Sequence, residues 1–282
     1  MSERFGEQIN PQKQFYTEYY KKETDDSPDD TRWSLACSFY DVLRRGALPN
    51  FKCLDIAAGT QKFELEFIRQ FGDRKIATEN GNQSIRDCLQ FTTFDLAEIP
   101  KSTLYLERLK NGSGEPSNAV SQSHHLQADA NEMPFKDNTF GIAVSNLALD
   151  FIGYEAIREM KRVLKEGGRA IINLHHKDML MPSREELDKE IRQIKIDLSQ
   201  TSQVDVESVI DARQERLKLL EFWEALDRND KLFKNRNQIL DIFGDFGFQI
   251  DELNFKYDAS DPAEAKNWWW ELVLTKLESR SA

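Results

Sequence analysis

The chain has 282 residues, 39% of them hydrophobic and 11% aromatic, which is enough apolar material for a packed core and excludes disorder throughout. Thirty-eight basic residues against 49 acidic ones leave a formal charge of −11, which repels phosphate backbones and anionic lipid and argues against nucleic-acid and membrane partners. Cys37, Cys53 and Cys88 are odd in number and far apart, a pattern of neither a disulfide framework nor a zinc cluster, so no metal site and a reducing, cytoplasmic setting are expected.

The first residues alternate charges with Tyr and Gln, which reads as neither a secretory signal nor a transit peptide, and no apolar run approaches the ~18 residues of a membrane span. Residues 1–50 read as a helical cap. Phe15, Tyr16, Tyr19 and Tyr20 recur at helical spacing, and after an acidic, Pro-containing break Asp30 or Thr31 can cap a second helix with Trp33, Ala36, Phe39, Tyr40 and Leu43 on one face. Phe51 to Ala57 is a short apolar run of buried-strand length.

Strands and helices then alternate. A helix is expected over Gln61 to Phe71, a strand over Leu89 to Phe94 closed by Asp95, and a helix over Lys101 to Lys110. Further strands are expected at His125 to Ala128 and Phe140 to Asn146, then a helix at Tyr154 to Leu164 and a strand at Arg169 to Leu174. Such alternation implies parallel pairing, with a ligand at the carboxyl ends of the strands. The polar stretches Asp73 to Asp87 and Asn111 to Ser123 read as surface loops. Ser183 and Glu186 form a capping-box pattern ahead of Leu187, Ile191, Ile194 and Leu198, and a second helix over Asp205 to Asp227 buries Val206, Val209, Ile210, Leu217, Leu220 and Trp223. These two helices make residues 179–235 an inserted lid. A helix at Asn237 to Phe246 and strands at Phe248 to Tyr257 and Trp269 to Leu277 complete the α/β domain, residues 51–178 and 236–282.

Four segments carry a family resemblance in the expected order. CLDIAAGTQKF, Cys53 to Phe63, resembles the first motif of class I S-adenosylmethionine-dependent methyltransferases, with Asp55 at the acid and Gly59 at the middle glycine. Ala57 and Gln61 hold the other two glycine positions. TFDLAE resembles the end of the family's second strand. ADANEMPFKDNTFGIAVSN resembles its adenine-reading segment, with Gly141 where an acid is usual. EAIREMKRVLKEGGRAIINLHH, Glu155 to His176, resembles its helix, turn and fifth strand. The resemblance implies a Rossmann-like α/β sheet, mostly parallel with the last strand antiparallel, helices on both faces, and S-adenosylmethionine as cofactor.

It further implies cofactor contacts from Asp55, Ala57 and Gly59 at the amino-acid end, Asp95 and Leu96 at the ribose, Asp129 and Ala130 at the adenine, and Asn146 beside the fourth strand. A left-handed backbone at Gln61 would cost about 1 to 2 kcal/mol, and a negative φ little. In-line methyl transfer needs positioning more than covalent help, and a base only where the acceptor carries a proton. His175 and His176, ending the fifth strand, are candidate bases; the competing reading is a pair of polar residues at a strand exit. Asp150 either orients the acceptor or caps the next helix. Tyr16 and Tyr20 either contact substrate or pack in the core. His124 and His125 are expected in solvent, and Trp268 to Trp270 at a sheet edge. The function implied is methyl transfer to an oxygen or nitrogen of a small molecule. A noncatalytic methyltransferase-like scaffold, and a protein methyltransferase docking its partner through the inserted helices, are the alternatives.

Overall fold

The computed structural model describes residues 30–46, 48–101, 104–106, 123–176, 189, 191–196, 217, 235–257 and 268–277. Helix α1 (Asp30–Arg45) buries Leu35, Ala36, Phe39, Val42 and Leu43, an apolar stripe at helical spacing, and stops at Gly46, whose φ is 72°. Then follow β1 (Lys52–Ile56), α2 (Lys62–Phe71), β2 (Lys75–Thr78), β3 (Gly81–Ser84), α3 (Ile85–Cys88), β4 (Gln90–Asp95), β5 (His124–Gln127) and β6 (Phe140–Asn146). The chain continues through α4 (Leu149–Ile152), α5 (Tyr154–Val163), β7 (Leu164–His175), α6 (Arg236–Asp245), β8 (Phe248–Tyr257) and β9 (Trp268–Lys276).

Seven strands form one sheet in the order β5-β4-β1-β6-β7-β9-β8. The first five run parallel, and β9 enters antiparallel between β7 and β8. From β1 the chain builds outward through β4 and β5, then returns to lay β6 on the other side of β1. That reversal opens a crevice at the carboxyl ends of β1 and β6. Strand β6 is buried along its length except at Asn146, as a central strand covered on both faces must be.

Successive residues feed opposite layers. Ile171 and Val273 face α1 and α2, in a core with Phe39, Phe63, Phe67 and Phe91, where Phe39 meets Phe67 edge-on at 4.6 Å. Ile172 and Leu272 face α5 and α6, among Ile157, Met160, Ile239 and Phe243.

The polar stretch Asp73 to Asp87 is not a loop. It forms the β2–β3 hairpin and α3, turning at Gly81 with φ 95°. Its apolar anchors are Ile76 and Ile85, too few to register as a periodic pattern. Strand β7 begins at Leu164, five residues ahead of expectation, because Phe140 pairs with Leu164 before a register break that includes left-handed Gly167. The three tryptophans lie on β9, which is an interior strand; β8 forms the edge.

Tyr16 and Tyr20, most of the expected 101–110 helix and 111–123 loop, and most of the lid lie outside the described residues. Within the segment expected to form a lid, residues 191–196 are helical, and Ile191 packs with Ile194 and Leu217.

Candidate active site

The turn from β1 into α2 alternates backbone handedness: φ is 58° at Ala57, 53° at Gly59 and 69° at Gln61. All three glycine positions of the motif are therefore left-handed, and the two that carry side chains each bear a penalty of about 1 to 2 kcal/mol. Hydrogen bonds hold the turn. Ala58 N donates to Phe94 O at 3.0 Å, and Gln61 N to Ala58 O at 3.0 Å. The Gln61 side chain, buried, turns beneath the loop, where Nε2 donates to Thr93 Oγ1 at 2.8 Å and Oε1 accepts from Leu106 N at 3.2 Å. Besides buried Thr60, the small residues Ala57, Ala58 and Gly59 remain along the loop.

The three acids singled out by the sequence leave the ends of β1, β4 and β5 at one rim of the sheet. Asp95 is buried at the end of β4; Oδ2 accepts from Gly59 N at 3.1 Å and Oδ1 from Ala97 N at 2.9 Å. This carboxylate ties the loop to the neighbouring strand while charging the crevice. Asp129 is exposed just past β5, its Oδ1 accepting from Asn131 N at 2.8 Å. Ala130 beside it is buried, and the Leu96 carbonyl accepts from Gln127 Nε2 at 3.1 Å. A cavity of about 580 Å³ lies between the segment after β4 and strand β5, lined by Glu98, Ile99, Leu104, His125, Gln127 and Phe135 among others. His125, expected in solvent, is half-buried with Nδ1 2.9 Å from Thr93 Oγ1.

Asp55 sits deeper, against Glu64 of α2, and both are buried. Burial and the neighbouring acids push Asp55 well above the usual carboxylate range, and burial raises Glu64 to about 7. Burial therefore favours the protonated form of both acids. Glu64 was not anticipated from the sequence, where a first-turn glutamate reads as a helix-dipole partner.

The far end of the crevice is built from β6, α4 and β7. Asn146 Oδ1 accepts from Asn173 Nδ2 at 3.0 Å, and Asn173 Nδ2 also donates to Thr31 O at 2.8 Å. Asp150 Oδ2 accepts from both His175 N at 3.1 Å and His175 Nδ1 at 2.7 Å. The second contact fixes the ring with its proton on Nδ1, so in the neutral imidazole Nε2 carries the lone pair. The structure separates the paired histidines: His176 lies among Phe255 and Trp270, with ring centroids at 5.1 and 5.7 Å, away from Asp150. Asp150 is joined to a histidine, and Ala148 stands at the N-cap of α4.

An open sheet with an antiparallel strand between β7 and β8, a left-handed loop after β1 and acids at successive strand ends defines the class I methyltransferase fold. Residues 74–172 match the family described as Methyltransferase domain. The ubiquinone/menaquinone biosynthesis C-methyltransferase UbiE of Vibrio cholerae is 30% identical over 153 residues, covering 54% of this chain and 48% of the relative. The enzyme of that name from Shewanella sediminis is 33% identical over 135 residues, covering 47% and 46%. The chain thus spans about half the length of the curated relatives it matches. A SAM-dependent methyltransferase from Aquifex aeolicus, 11% identical, superposes with a TM-score of 0.51 over 95% of this chain and 100% of the other, a likeness of fold alone. The chain therefore has the class I methyltransferase fold, and its residues 74–172 match the methyltransferase-domain family.

Proposed function

We propose that this chain transfers a methyl group from S-adenosylmethionine to a small acceptor molecule whose proton is taken by His175. The observation that carries this reading is the 2.7 Å contact between Asp150 Oδ2 and His175 Nδ1, at the same rim as the loop after β1.

The residues present fit the cofactor. A glutamine in place of the third glycine would obstruct its approach if the side chain projected into the crevice, but that side chain is buried and hydrogen-bonded beneath the loop. Asp55, Ala57 and Gly59 would then flank the amino-acid portion, Asp95 and Leu96 the ribose, Asp129 and Ala130 the adenine, and Asn146 the sulfur end. S-adenosylmethionine supplies an electrophilic methyl on a positively charged sulfur.

The chain's own contribution is orientation and a proton acceptor. His175 Nε2 removes the acceptor's proton, and the Asp150 carboxylate stabilises the imidazolium that forms, an arrangement worth about 10² to 10⁴ in rate. Burial of the Asp150 and His175 side chains, 0% and 12% exposed, limits the access of water to the deprotonated nucleophile. An oxygen or nitrogen acceptor fits this chemistry. A carbon conjugated to a deprotonated hydroxyl fits it equally, and the printed names of the relatives, C-methyltransferases, favour that second reading.

The test has two stages. S-adenosylhomocysteine is expected to raise the melting temperature and to bind in calorimetry; no binding would favour the scaffold alternative. In an acceptor screen with isotopically labelled cofactor, Asp150→Asn and His175→Ala are expected to lose about 10²-fold or more in methyl transfer while keeping cofactor affinity. The chemical shift of the transferred methyl distinguishes oxygen, nitrogen and carbon products. Full activity in both variants would overturn the base assignment.

A further inference from the structure

Around His175, three buried polar atoms lack a hydrogen-bond partner among the described residues: Asp150 Oδ1, Asn173 Oδ1 and the indole N–H of Trp269. Their residues are 1%, 0% and 3% exposed. Each is anchored elsewhere. Asp150 uses its other oxygen on His175, and Asn173 uses its amide nitrogen on Thr31 and Asn146. The nearby Glu271 is satisfied, accepting from Ser34 Oγ and from Ser38 Oγ.

Sheet register brings the three atoms' residues together. His175 pairs with Trp269, and Asn173 with Glu271, across β7 and β9. Paired residues project to the same face, as do residues two apart on a strand. That face is the one α1 covers, through Thr31, Ser34 and Ser38. Asp150 reaches the same histidine from α4. The orphaned atoms therefore come from three separate segments that converge on one imidazole. Buried polar atoms without partners are few in folded proteins, and a cluster of them marks a group that the fold expects to receive.

We infer that Asp150 Oδ1, Asn173 Oδ1 and Trp269 Nε1 form the acceptor-recognition subsite, complementary to an uncharged group that offers N–H or O–H hydrogens to the two oxygens and an oxygen lone pair to the indole. This rests on the reading that the acceptor sits beside His175. An ammonium group suits the two oxygens but opposes the indole hydrogen. A carboxylate suits the indole but meets the Asp150 charge and the Asn173 carbonyl. A primary carboxamide, with two N–H hydrogens and a carbonyl oxygen, answers all three, whereas a hydroxyl, with one hydrogen, answers two. Trp269 and Asn173 thereby become specificity-determining residues.

The experiment follows the indole N–H resonances of the full chain, which contains five tryptophans, with Trp269→Phe identifying the relevant signal. Benzamide, benzyl alcohol, benzylammonium, benzoate and toluene are titrated with and without S-adenosylhomocysteine. Benzamide is expected to shift the Trp269 resonance in the unmodified chain, more strongly than benzyl alcohol, and to bind Trp269→Phe about tenfold more weakly, equivalent to ~1.4 kcal/mol. S-adenosylhomocysteine is expected to bind both chains equally. Tighter binding of benzylammonium or benzoate, or a Trp269 resonance that no fragment moves, overturns the inference. If fragments move Trp269 while S-adenosylhomocysteine fails to bind, the subsite stands and the methyl-transfer reading falls. The shift in the unmodified chain holds as a readout even if the variant folds poorly.

Discussion

Gln61 Nε2 donates to Thr93 Oγ1 at 2.8 Å, across the gap between the loop after β1 and strand β4. The same side chain accepts from Leu106 N at 3.2 Å, so one residue in a strained conformation joins three segments. Gln61→Gly would relieve the left-handed backbone, a gain of about 1 kcal/mol. It would also leave Leu106 N buried without its acceptor and open a void, together costing about 2 to 3 kcal/mol. Thr93 Oγ1 keeps its contact with His125 Nδ1. The expected result in urea denaturation is a net loss of about 1 to 2 kcal/mol; a more stable variant would show that the glutamine is a tolerated accident.

Gly141 is the second departure from the family pattern, and its cause is packing. A Cβ at this position would lie 2.0 Å from Asn50 O and 2.6 Å from Asn50 Oδ1. Asn50 cannot yield easily, since Nδ2 donates to Thr139 O and Oδ1 accepts from Lys52 N. Residue 141 is also at the start of β6, the opposite end from Asn146, so its substitution says nothing about the crevice. Gly141→Ala is expected to cost about 2 to 4 kcal/mol by thermal or urea unfolding, with S-adenosylhomocysteine affinity unchanged in the fraction that folds.

The strands that the sequence made legible are those with dense apolar content between turn residues. The expected strand Phe140 to Asn146 matches β6 to the residue because Phe140, Ile142, Ala143 and Val144 form a dense apolar run beside which Gly141 and Ser145 are small and uncharged. The β2–β3 hairpin was hidden because a hairpin lying outside the main sheet needs few apolar side chains, and this one rests on Ile76 and Ile85. Asp150 and His175 were both read from strand ends, but their contact, and the separation of His175 from His176, depends on the side chains' faces and on α4. Trp269 and Asn173 stayed invisible for another reason: a tryptophan and an asparagine in a strand look like packing until the register with His175 is known.

Arg162 clamps the segment that carries Asp129 and Ala130 toward the rim. Its guanidinium donates to Glu159 Oε1 and Oε2, Asp137 Oδ1 and Phe135 O, each at 2.7 Å, and to Met133 O at 2.9 Å. Glu159 Oε2 accepts in turn from Met133 N at 2.8 Å. A lysine cannot reproduce this planar fork. Arg162→Lys is therefore expected to lose about 1 to 2 kcal/mol of stability and to speed amide exchange at Met133. Unchanged exchange there would mean that the segment is held by Ala130 and Met133 packing alone.

The Asp55–Glu64 pair gives stability a pH dependence of definite sign. Glu64 titrates near 4.5 in an ordinary setting and at about 7 in the folded chain, and Asp55 is raised as well. Between those values the folded state binds more protons than the unfolded one, so stability falls as pH rises. The contribution is fully present below about 4.5 and is lost as pH passes through about 7. Glu159, lowered mainly by its hydrogen bond to Arg162, acts with the opposite sign at acid pH, and a difference measurement between two chains cancels it. Glu64→Gln removes one titrating group and offers an amide donor to Asp55. Urea unfolding across this range should show a flatter profile for the variant, with a gain over the native chain on the order of 1 to 3 kcal/mol at about pH 8 and none at about pH 4. Parallel profiles for the two chains would mean that the carboxyls are solvated in solution and titrate in the ordinary carboxylate range.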